Sequence, residues 1–262
     1  MGTLVATIRR TLRTRGVGGT ALLCLNVPVA KFLRSDFRVR FSRALDGWMF
    51  DRRFGVDTCG YILRPSPSIR GSDPALGGPY DGTHRSHFRR VMRSLEIRYE
   101  EYAFVDFGSG KGRVLLLASE FPFRSIAGVE WSRELHDIAQ RNIRRYRGPK
   151  VCDSIESICW DATQFEIPAG KAIFYFFNPF TDQILSRVLD NIRRSFEEHP
   201  RDMVIVYMNP PRRDVFDGAG FLEKKVDKWW VVVYQPHGCK DELSSLELPD
   251  FKHLWYDWSA TR

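Results

Sequence analysis

The segment 103–117 constrains the fold more than any other part of this chain, because it joins a β-type run to a helix through a glycine-rich turn. The apolar run Ala103–Val105 ends in Asp106, glycines then occupy the alternate positions 108, 110 and 112, and the apolar run 114–117 follows. Glycine permits positive φ and lets a ligand lie against bare backbone, while a helix N-terminus presents partial positive charge. The pattern predicts a strand, turn and helix that together cradle a nucleotide-type cofactor.

The spacing of the glycines distinguishes three classes of cradle. A P-loop requires Gly five residues before the Gly-Lys pair and Ser or Thr after it, but Val105 and Gly112 occupy those positions. A dinucleotide fingerprint that began at Gly108 would end on Arg113 instead of Gly, which weakens that interpretation. The remaining Asp-x-Gly-x-Gly-x-Gly pattern resembles the first motif of class I S-adenosylmethionine-dependent methyltransferases, a Rossmann-related family.

Acidic residues end the next two predicted strands. Ser125–Glu130 ends in an acid 24 residues after Asp106, close to the offset of about 20 residues at which an acid reaches ribose hydroxyls. The resemblance also implies that Asp161 accepts a hydrogen bond from the adenine amino group, with Trp160 against the ring. Structural roles remain open for both acids, since Glu130 would also suit a helix cap near Ser132 and Asp161 a turn.

Residues before the first strand and inside the turn complete the predicted site. Relatives often place an aromatic or hydroxyl residue over the methionine half of the cofactor, so the resemblance implies roles for Tyr80 and Thr83. Thr83 would also suit the N-cap of a helix over His84–Leu95. Lys111 and Arg113 are interpreted as solvated residues of the loop and of the first helical turn.

The resemblance implies S-adenosylmethionine as cofactor, S-adenosylhomocysteine as product, and no metal. The histidines His84 and His87 are spaced for a metal pair, but no carboxylate lies nearby in the sequence, so no metal site is predicted. The implied cofactor-binding residues are Tyr80, Thr83, Asp106, Gly108, Ser109, Gly110, Gly112, Glu130, Trp131, Trp160, Asp161 and Asn178.

The acceptor class is read from the end of the fourth predicted strand, where Asn178-Pro179-Phe180 stands. This segment resembles the Asn/Asp-Pro-Pro-aromatic motif of amino-group methyltransferases, without the second proline, and the resemblance implies that Asn178, Pro179 and Phe180 are catalytic. With the glycine turn, it is also similar to bacterial methyltransferases akin to non-SET protein lysine methyltransferases. N-methylation of a protein lysine or small amine is predicted, with O-methylation of a small molecule as the alternative. Asn209-Pro210-Pro211 imitates the motif more closely, but there a proline is expected to start a helix.

The alternation of strands and helices predicts an α/β fold. The expected architecture is a Rossmann-like three-layer αβα sandwich with a mostly parallel seven-stranded sheet, one strand antiparallel, and a helical N-terminal extension. Three regions are predicted: a basic helical arm (1–49), a Gly/Pro-rich loop that would act as a lid or a connector (50–83), and the methyltransferase domain (84–262). The predicted strands are 103–106, Ser125–Glu130, Ser157–Asp161, Lys171–Phe177, Asp202–Met208, Phe221–Val226 and Trp230–Tyr234; the predicted helices include His84–Leu95, Arg133–Arg145 and Thr181–Glu198.

The whole net charge of +8 lies in residues 1–45, which hold nine Lys or Arg and one acid. This arm is interpreted as helices on the domain, as an anchor on an anionic membrane surface, or as a contact for an acidic partner; nucleic acid is disfavoured because the body is neutral. The apolar stretch 20–33 is too short to span a bilayer, and the five cysteines form no pair typical of a disulfide framework or zinc site. A cytoplasmic protein, peripheral to the membrane at most, is expected.

Two functions of other classes remain open at this stage. The same cradle could serve an NAD-dependent oxidoreductase, or the fold could be used for binding without chemistry, with the basic arm on RNA or a membrane.

Overall fold

The computed structural model describes residues 35–60, 62, 80–240, 243 and 245–249. The predictions for residues 1–34, and for most of the loop between residues 61 and 79, fall outside these residues. The contacts discussed below all lie within one compact unit, Arg43–Asp250.

Strands and helices alternate along the described chain. The helices are α1 (Ser35–Phe54), α2 (Arg85–Ser94), α3 (Arg113–Ala118), α4 (Arg133–Arg145), α5 (Asp182–Glu198) and α6 (Arg213–Asp217). The strands are β1 (Ala103–Phe107), β2 (Ser125–Glu130), β3 (Ile155–Cys159), β4 (Ala172–Phe177), β5 (Met203–Met208), β6 (Leu222–Lys228) and β7 (Val231–Pro236). The ten elements with predicted bounds are all found, each within two residues of those bounds.

The strands form one sheet in the order β3-β2-β1-β4-β5-β7-β6. Pairing is parallel from β3 to β5, and β7 runs antiparallel to both of its neighbours. Helices pack against this sheet, as α4 does on β3 and α3 on β2. The predicted α/β sandwich with a mostly parallel seven-stranded sheet is confirmed.

The central strands are apolar because the sheet is covered on both faces. All residues of β1 and β5 are buried, which explains why these strands read as continuous apolar runs rather than as alternating ones. Between β1 and β4 the rings of Phe107 and Phe176 stack at 5.2 Å. Because β1, β2 and β4 run parallel, their carboxyl ends meet at one edge, where ligands bind in open α/β sheets.

Two local features differ from the sequence prediction. Helix α1 continues to Phe54, so residues 50–54 are helical and do not begin the loop. The N-cap of α2 is His84, whose Nδ1 accepts the N–H of Ser86 at 3.3 Å, and the prediction of Thr83 as the cap is wrong. The reason is that Thr83 points inward, where its hydroxyl and that of Tyr175 are 3.2 Å apart.

Four of the five cysteines are free thiols in the described chain, and Cys24 lies outside it. Among the described residues, none of the helices combines the length and hydropathy needed to cross a bilayer.

Candidate active site

A cleft opens at the carboxyl ends of β1, β2 and β4, and most of the predicted site residues line it. Those that do are Tyr80, Thr83, Asp106, Gly108, Ser109, Gly110, Glu130, Trp131, Pro179 and Phe180. Within the described residues, Gly112, Trp160, Asp161 and Asn178 are not part of its lining. Sequence reasoning assigned no role to Asp81, Leu135 and Phe177, which also line it, although Asp81 directly follows Tyr80.

The glycine turn needs its glycines for backbone conformation and for close packing. Gly108, Gly110 and Gly112 have φ of 80°, 54° and 79°, a region that side chains disfavour. A Cβ atom at Gly108 would collide with Pro179, and one at Gly110 would collide with the ring of Tyr80. At these two positions the glycine backbone packs directly against a residue of the cleft wall, Pro179 or Tyr80. Gly112 has a different role, since it precedes α3 and packs against Ala139 of α4 at 3.0 Å from its ideal Cβ position.

Two buried oxygen atoms of the cleft are left without partners. Asp106 is 2% exposed and Ser109 is 5% exposed. Within the described part of the chain, neither Oδ2 of Asp106 nor Oγ of Ser109 has a hydrogen-bond partner. Burial, and then the charge of Glu130, raise the pKa of Asp106 well above its usual value. Because buried polar atoms are normally paired, this pair of oxygens indicates a site for donor groups of a ligand.

Glu130 ties the end of β2 to the glycine turn. Its Oε2 accepts the N–H of Gly110 at 2.8 Å and its Oε1 accepts the N–H of Ser132 at 2.9 Å. Burial raises the pKa of Glu130 to about 7, although these backbone hydrogen bonds act in the opposite direction. The cap of α4 is Ser132 itself, whose hydroxyl accepts the N–H of Leu135. Glu130 therefore belongs to the cleft rather than to the helix cap.

Replacing Glu130 by Gln should flatten the pH dependence of stability in the ligand-free protein. The pKa of Glu130 is raised from 4.5 to about 7 in the folded protein. The free energy of unfolding therefore falls as pH rises through this window, because Glu130 ionises at lower pH in the unfolded state than in the folded one. The difference in slope should approach about 1.4 kcal/mol per pH unit. Urea unfolding between pH 5 and 8 measures it, with exposed Glu134→Gln as the control. Parallel curves for the wild type and Glu130→Gln would contradict the assignment.

The expectation that Lys111 and Arg113 are solvated is wrong, since they are 8% and 2% exposed. Nζ of Lys111 donates to Oδ1 of Asp57 at 2.8 Å and to the carbonyl of Cys59 at 2.9 Å. The guanidinium of Arg113 lies 2.6 Å from the carboxylate of Asp46, with both side chains buried. Their acidic partners lie more than fifty residues away in the chain, so no local sequence pattern could predict these ion pairs.

The charges of the cleft consequently favour cationic ligand groups. Both cations that flank the glycine turn are neutralised by carboxylates, whereas Asp106 and Glu130 present theirs to the cleft. Opposite charge at close range stabilises the ionised carboxylates and binds the ligand. A phosphate in the same place would meet these acids, and Arg113, a cation on the described lining, is already paired with Asp46.

The far end of the cleft is aromatic and carries one further acid. Phe177 ends β4, Pro179 and Phe180 follow it, and all three line the cleft together with Asp81. The guanidinium of Arg43 pairs with Asp81 at 2.7 Å and lies 5.3 Å from the ring of Phe177. This end can hold a slender, partly apolar group beside a carboxylate.

Asn178 adopts a left-handed backbone conformation with φ of 47° directly after β4. Asn209 has the same φ after β5, where its turn precedes α6. Asn accepts this conformation more readily than most residues. The backbone turns in the same way after both strands. Only after β4 do the next two residues line the described cleft.

Asp161 performs the structural role that the sequence left open. Its Oδ1 accepts the N–H and the hydroxyl of Thr163, both at 2.8 Å, and so caps the short 3₁₀ helix Ala162–Gln164. Trp160 is 51% exposed, and its indole N–H donates to the carbonyl of Gln164 at 3.3 Å. An adenine role for these two residues stays a prediction.

His84 and His87 lie beside each other at the start of α2. The rings of His84 and His87 lie 4.9 Å apart, and burial lowers the pKa of His87 to about 3. Across the described ranges, His, Cys, Asp and Glu form no group of three or more that could hold a metal ion.

The order of the strands and the direction of β7 identify the fold. The chain runs outward from β1 through β2 to β3, then crosses back to β4 on the other side of β1, and the antiparallel β7 is inserted between β5 and β6. The glycine turn stands at the switch point between β1 and β4. This is the class I methyltransferase fold.

Comparison with known proteins adds matches to this fold among solved structures, whereas no family model and no curated protein matches the chain. A SAM-dependent methyltransferase from Aquifex aeolicus is 12% identical with a TM-score of 0.42, covering 57% of this chain and 88% of that one. An RNA methyltransferase from Salinibacter ruber in complex with S-adenosyl-L-homocysteine is 18% identical with a TM-score of 0.39, covering 64% and 95%. A ribosomal protein L11 methylase from Lactobacillus delbrueckii subsp. bulgaricus is 14% identical with a TM-score of 0.42, covering 62% and 82%. Similarity at this level concerns the fold alone.

Proposed function

We propose that this protein is an S-adenosylmethionine-dependent methyltransferase that acts on an amine. The observation that carries the proposal is the buried, unpaired carboxylate oxygen of Asp106 beside the glycine turn. S-adenosylmethionine brings an ammonium group and a sulfonium, which are the charges that an acidic cleft accommodates. Asp106 and Ser109 would bind its amino-acid end, and Glu130 would accept the ribose hydroxyls.

The same charges argue against a dinucleotide cofactor. A pyrophosphate is bound by free backbone N–H groups at the turn and at the helix N-terminus, and a free cation nearby would add to this. Lys111 and Arg113, the two cations of the turn, already pair with Asp57 and Asp46. The N–H of Gly110 is likewise taken by Glu130. The cleft therefore favours a cationic cofactor over NAD.

Methyl transfer from a sulfonium is an in-line displacement, so the protein mainly has to orient the acceptor and exclude water. When bound, the cofactor supplies an electrophilic methyl group. Asn178 would orient the acceptor nitrogen through its side-chain oxygen, while Pro179 and Phe180 form the wall beside it. The buried ring of Phe180 keeps this end apolar.

The acid at the aromatic end favours an amine as the acceptor. Asp81 lies on the lining with its side chain 27% exposed; its Oδ2 pairs with Arg43, and an approaching ammonium group would share the carboxylate through Oδ1. A protein lysine or a small amine has this charge together with an apolar stem. A phosphate-rich acceptor would be repelled by the acids of the cleft.

Asp81→Asn should weaken the acceptor step and spare cofactor binding. We expect turnover at low acceptor concentration to fall about fivefold, because one partly exposed charge contact is lost. The affinity for S-adenosylhomocysteine should remain unchanged. Asp190→Asn, which removes an exposed acid paired with Arg193 on α5, is the matched control. Equal loss in both variants, or a change in cofactor affinity alone, would contradict this role.

Two measurements test the proposed function. Native mass spectrometry of the purified protein should detect bound S-adenosylhomocysteine. Transfer of a labelled methyl group from S-adenosylmethionine to a lysate should then label a protein or a small amine. Absence of any labelled acceptor together with absence of bound cofactor would reject the proposal.

A further inference from the structure

The segment Asp57–Cys59, which follows α1, contacts the back of the glycine turn. Asp57 and Cys59 hold the ammonium of Lys111 through a carboxylate and a carbonyl oxygen. In the described structure none of its three residues lines the cleft. The segment thus contacts the turn on the side that faces away from the cleft.

Thr58 is the centre of these contacts and is fully buried. Its hydroxyl donates to Oδ1 of Asp51 at 2.6 Å and accepts from a guanidinium N–H of Arg113 at 2.9 Å. Its carbonyl accepts the hydroxyl of Tyr80 at 2.6 Å. Tyr80 is the residue whose ring lies against Gly110.

Arg113 extends the same network to a second residue of the cleft. Its Nε donates to the carbonyl of Thr83 at 2.8 Å, and its remaining nitrogen donates to Asp46 at 2.6 Å. The guanidinium also lies 4.4 Å from the ring of Phe50. Thr58 and Arg113 together therefore fix Tyr80, Thr83 and the start of α3.

Asn142 of α4 holds the segment from the other side. Its side-chain nitrogen donates to the carbonyls of Asp57 and Lys111 at 2.7 and 2.9 Å, and its oxygen accepts the N–H of Asp57 at 2.8 Å. Asp51 accepts the N–H groups of Thr58 and Cys59 at 2.8 and 2.7 Å. The segment is consequently fixed on both flanks.

We propose that Thr58 is a positioning residue for the cofactor-binding turn, acting through Arg113 and Tyr80. Glycines with positive φ lose much conformational freedom when they are ordered, so a turn held in place before binding raises ligand affinity. The cofactor part of this proposal rests on the proposed function. The ordering of the turn does not rest on the proposed function, because it is a property of the ligand-free protein.

The test compares Thr58→Val with Thr58→Ser. Valine keeps the shape but removes the hydroxyl, which leaves a buried N–H of Arg113 without its acceptor; serine keeps both hydrogen bonds. In ligand-free protein, hydrogen exchange of a peptide spanning residues 108–114 should accelerate about tenfold in Thr58→Val and remain near wild type in Thr58→Ser. By calorimetry, S-adenosylhomocysteine should bind about tenfold more weakly to Thr58→Val only.

Val188→Ala, on the buried face of α5, is the control for a general loss of stability. It should lower the melting temperature without changing exchange in the turn or cofactor affinity. Should Thr58→Val not fold, Asp57→Asn replaces it, because this exposed partner of Lys111 tolerates substitution, and a smaller shift in the same direction is expected.

Unchanged exchange in the turn of Thr58→Val, or an equal change in Thr58→Ser or Val188→Ala, would overturn the proposal. Failure of the wild type to bind S-adenosylhomocysteine would instead reject the proposed function, and the exchange measurement would still decide on the positioning role.

Discussion

Asn178→Gly is expected to lower methyl transfer about 100-fold while changing the affinity for S-adenosylhomocysteine less than about threefold. Glycine accepts the φ of 47° at this position, so the substitution removes the side chain without straining the backbone. Alanine would strain it, because its Cβ disfavours positive φ. The side-chain oxygen that orients the acceptor nitrogen is lost, whereas the contacts of the cofactor remain. Labelled-methyl incorporation into lysate and calorimetry measure the two effects.

Asn209→Gly is the matched control for this substitution. It has the same φ, also follows a central strand and also precedes a proline, but the residues after it do not line the described cleft. Turnover of Asn209→Gly should stay within about twofold of wild type. If both variants lose activity equally, or if Asn178→Gly retains it, Asn178 has no role in the transfer step.

Asp106→Asn should have opposite effects on cofactor affinity and on stability. S-adenosylmethionine should bind roughly 10- to 100-fold more weakly, because its ammonium group loses a buried charged partner. The ligand-free variant should be more stable than wild type, because a neutral amide replaces a carboxyl group whose ionised form is penalised by burial. Since the folded pKa of Asp106 is raised, wild-type stability falls as pH rises, and the advantage of the variant should grow with pH.

Asp137→Asn on α4 is the control, because it makes the same chemical change at an exposed position outside the cleft. It should alter neither cofactor affinity nor the pH dependence of the melting temperature. An Asp106→Asn variant that binds the cofactor like wild type would show that the unpaired oxygen is not the ligand contact. A ligand-free variant less stable than wild type would show that burial does not penalise the ionised carboxyl group of Asp106.

Features encoded by neighbouring residues were predictable from the sequence. The bounds of β2 and α4 were predicted to the residue, because a buried strand and an amphipathic helix have distinct periodicities. Asp106 and Glu130 could be placed at one cleft because the carboxyl ends of parallel strands meet at the same sheet edge. Pro179 and Phe180 followed from the same argument.

Features that depend on distant partners were not predictable. The burial of Lys111 and Arg113 depends on Asp57 and Asp46, which come to the turn only after α1 has packed. Thr83 was predicted as a cap because its side chain suits one, but the hydroxyl of Tyr175 competes for it. Local propensity is a weak prior wherever such tertiary contacts are available.

On the proposed function, the cleft binds a cationic S-adenosyl cofactor and no dinucleotide. Thermal unfolding of the purified protein with an equal excess of S-adenosylmethionine, S-adenosylhomocysteine or NAD tests it most directly, because only a ligand of the folded state raises the melting temperature. The melting temperature should rise with both S-adenosyl compounds, stay unchanged with NAD, and rise much less in Asp106→Asn. A rise with NAD, or none with either S-adenosyl compound, would contradict it.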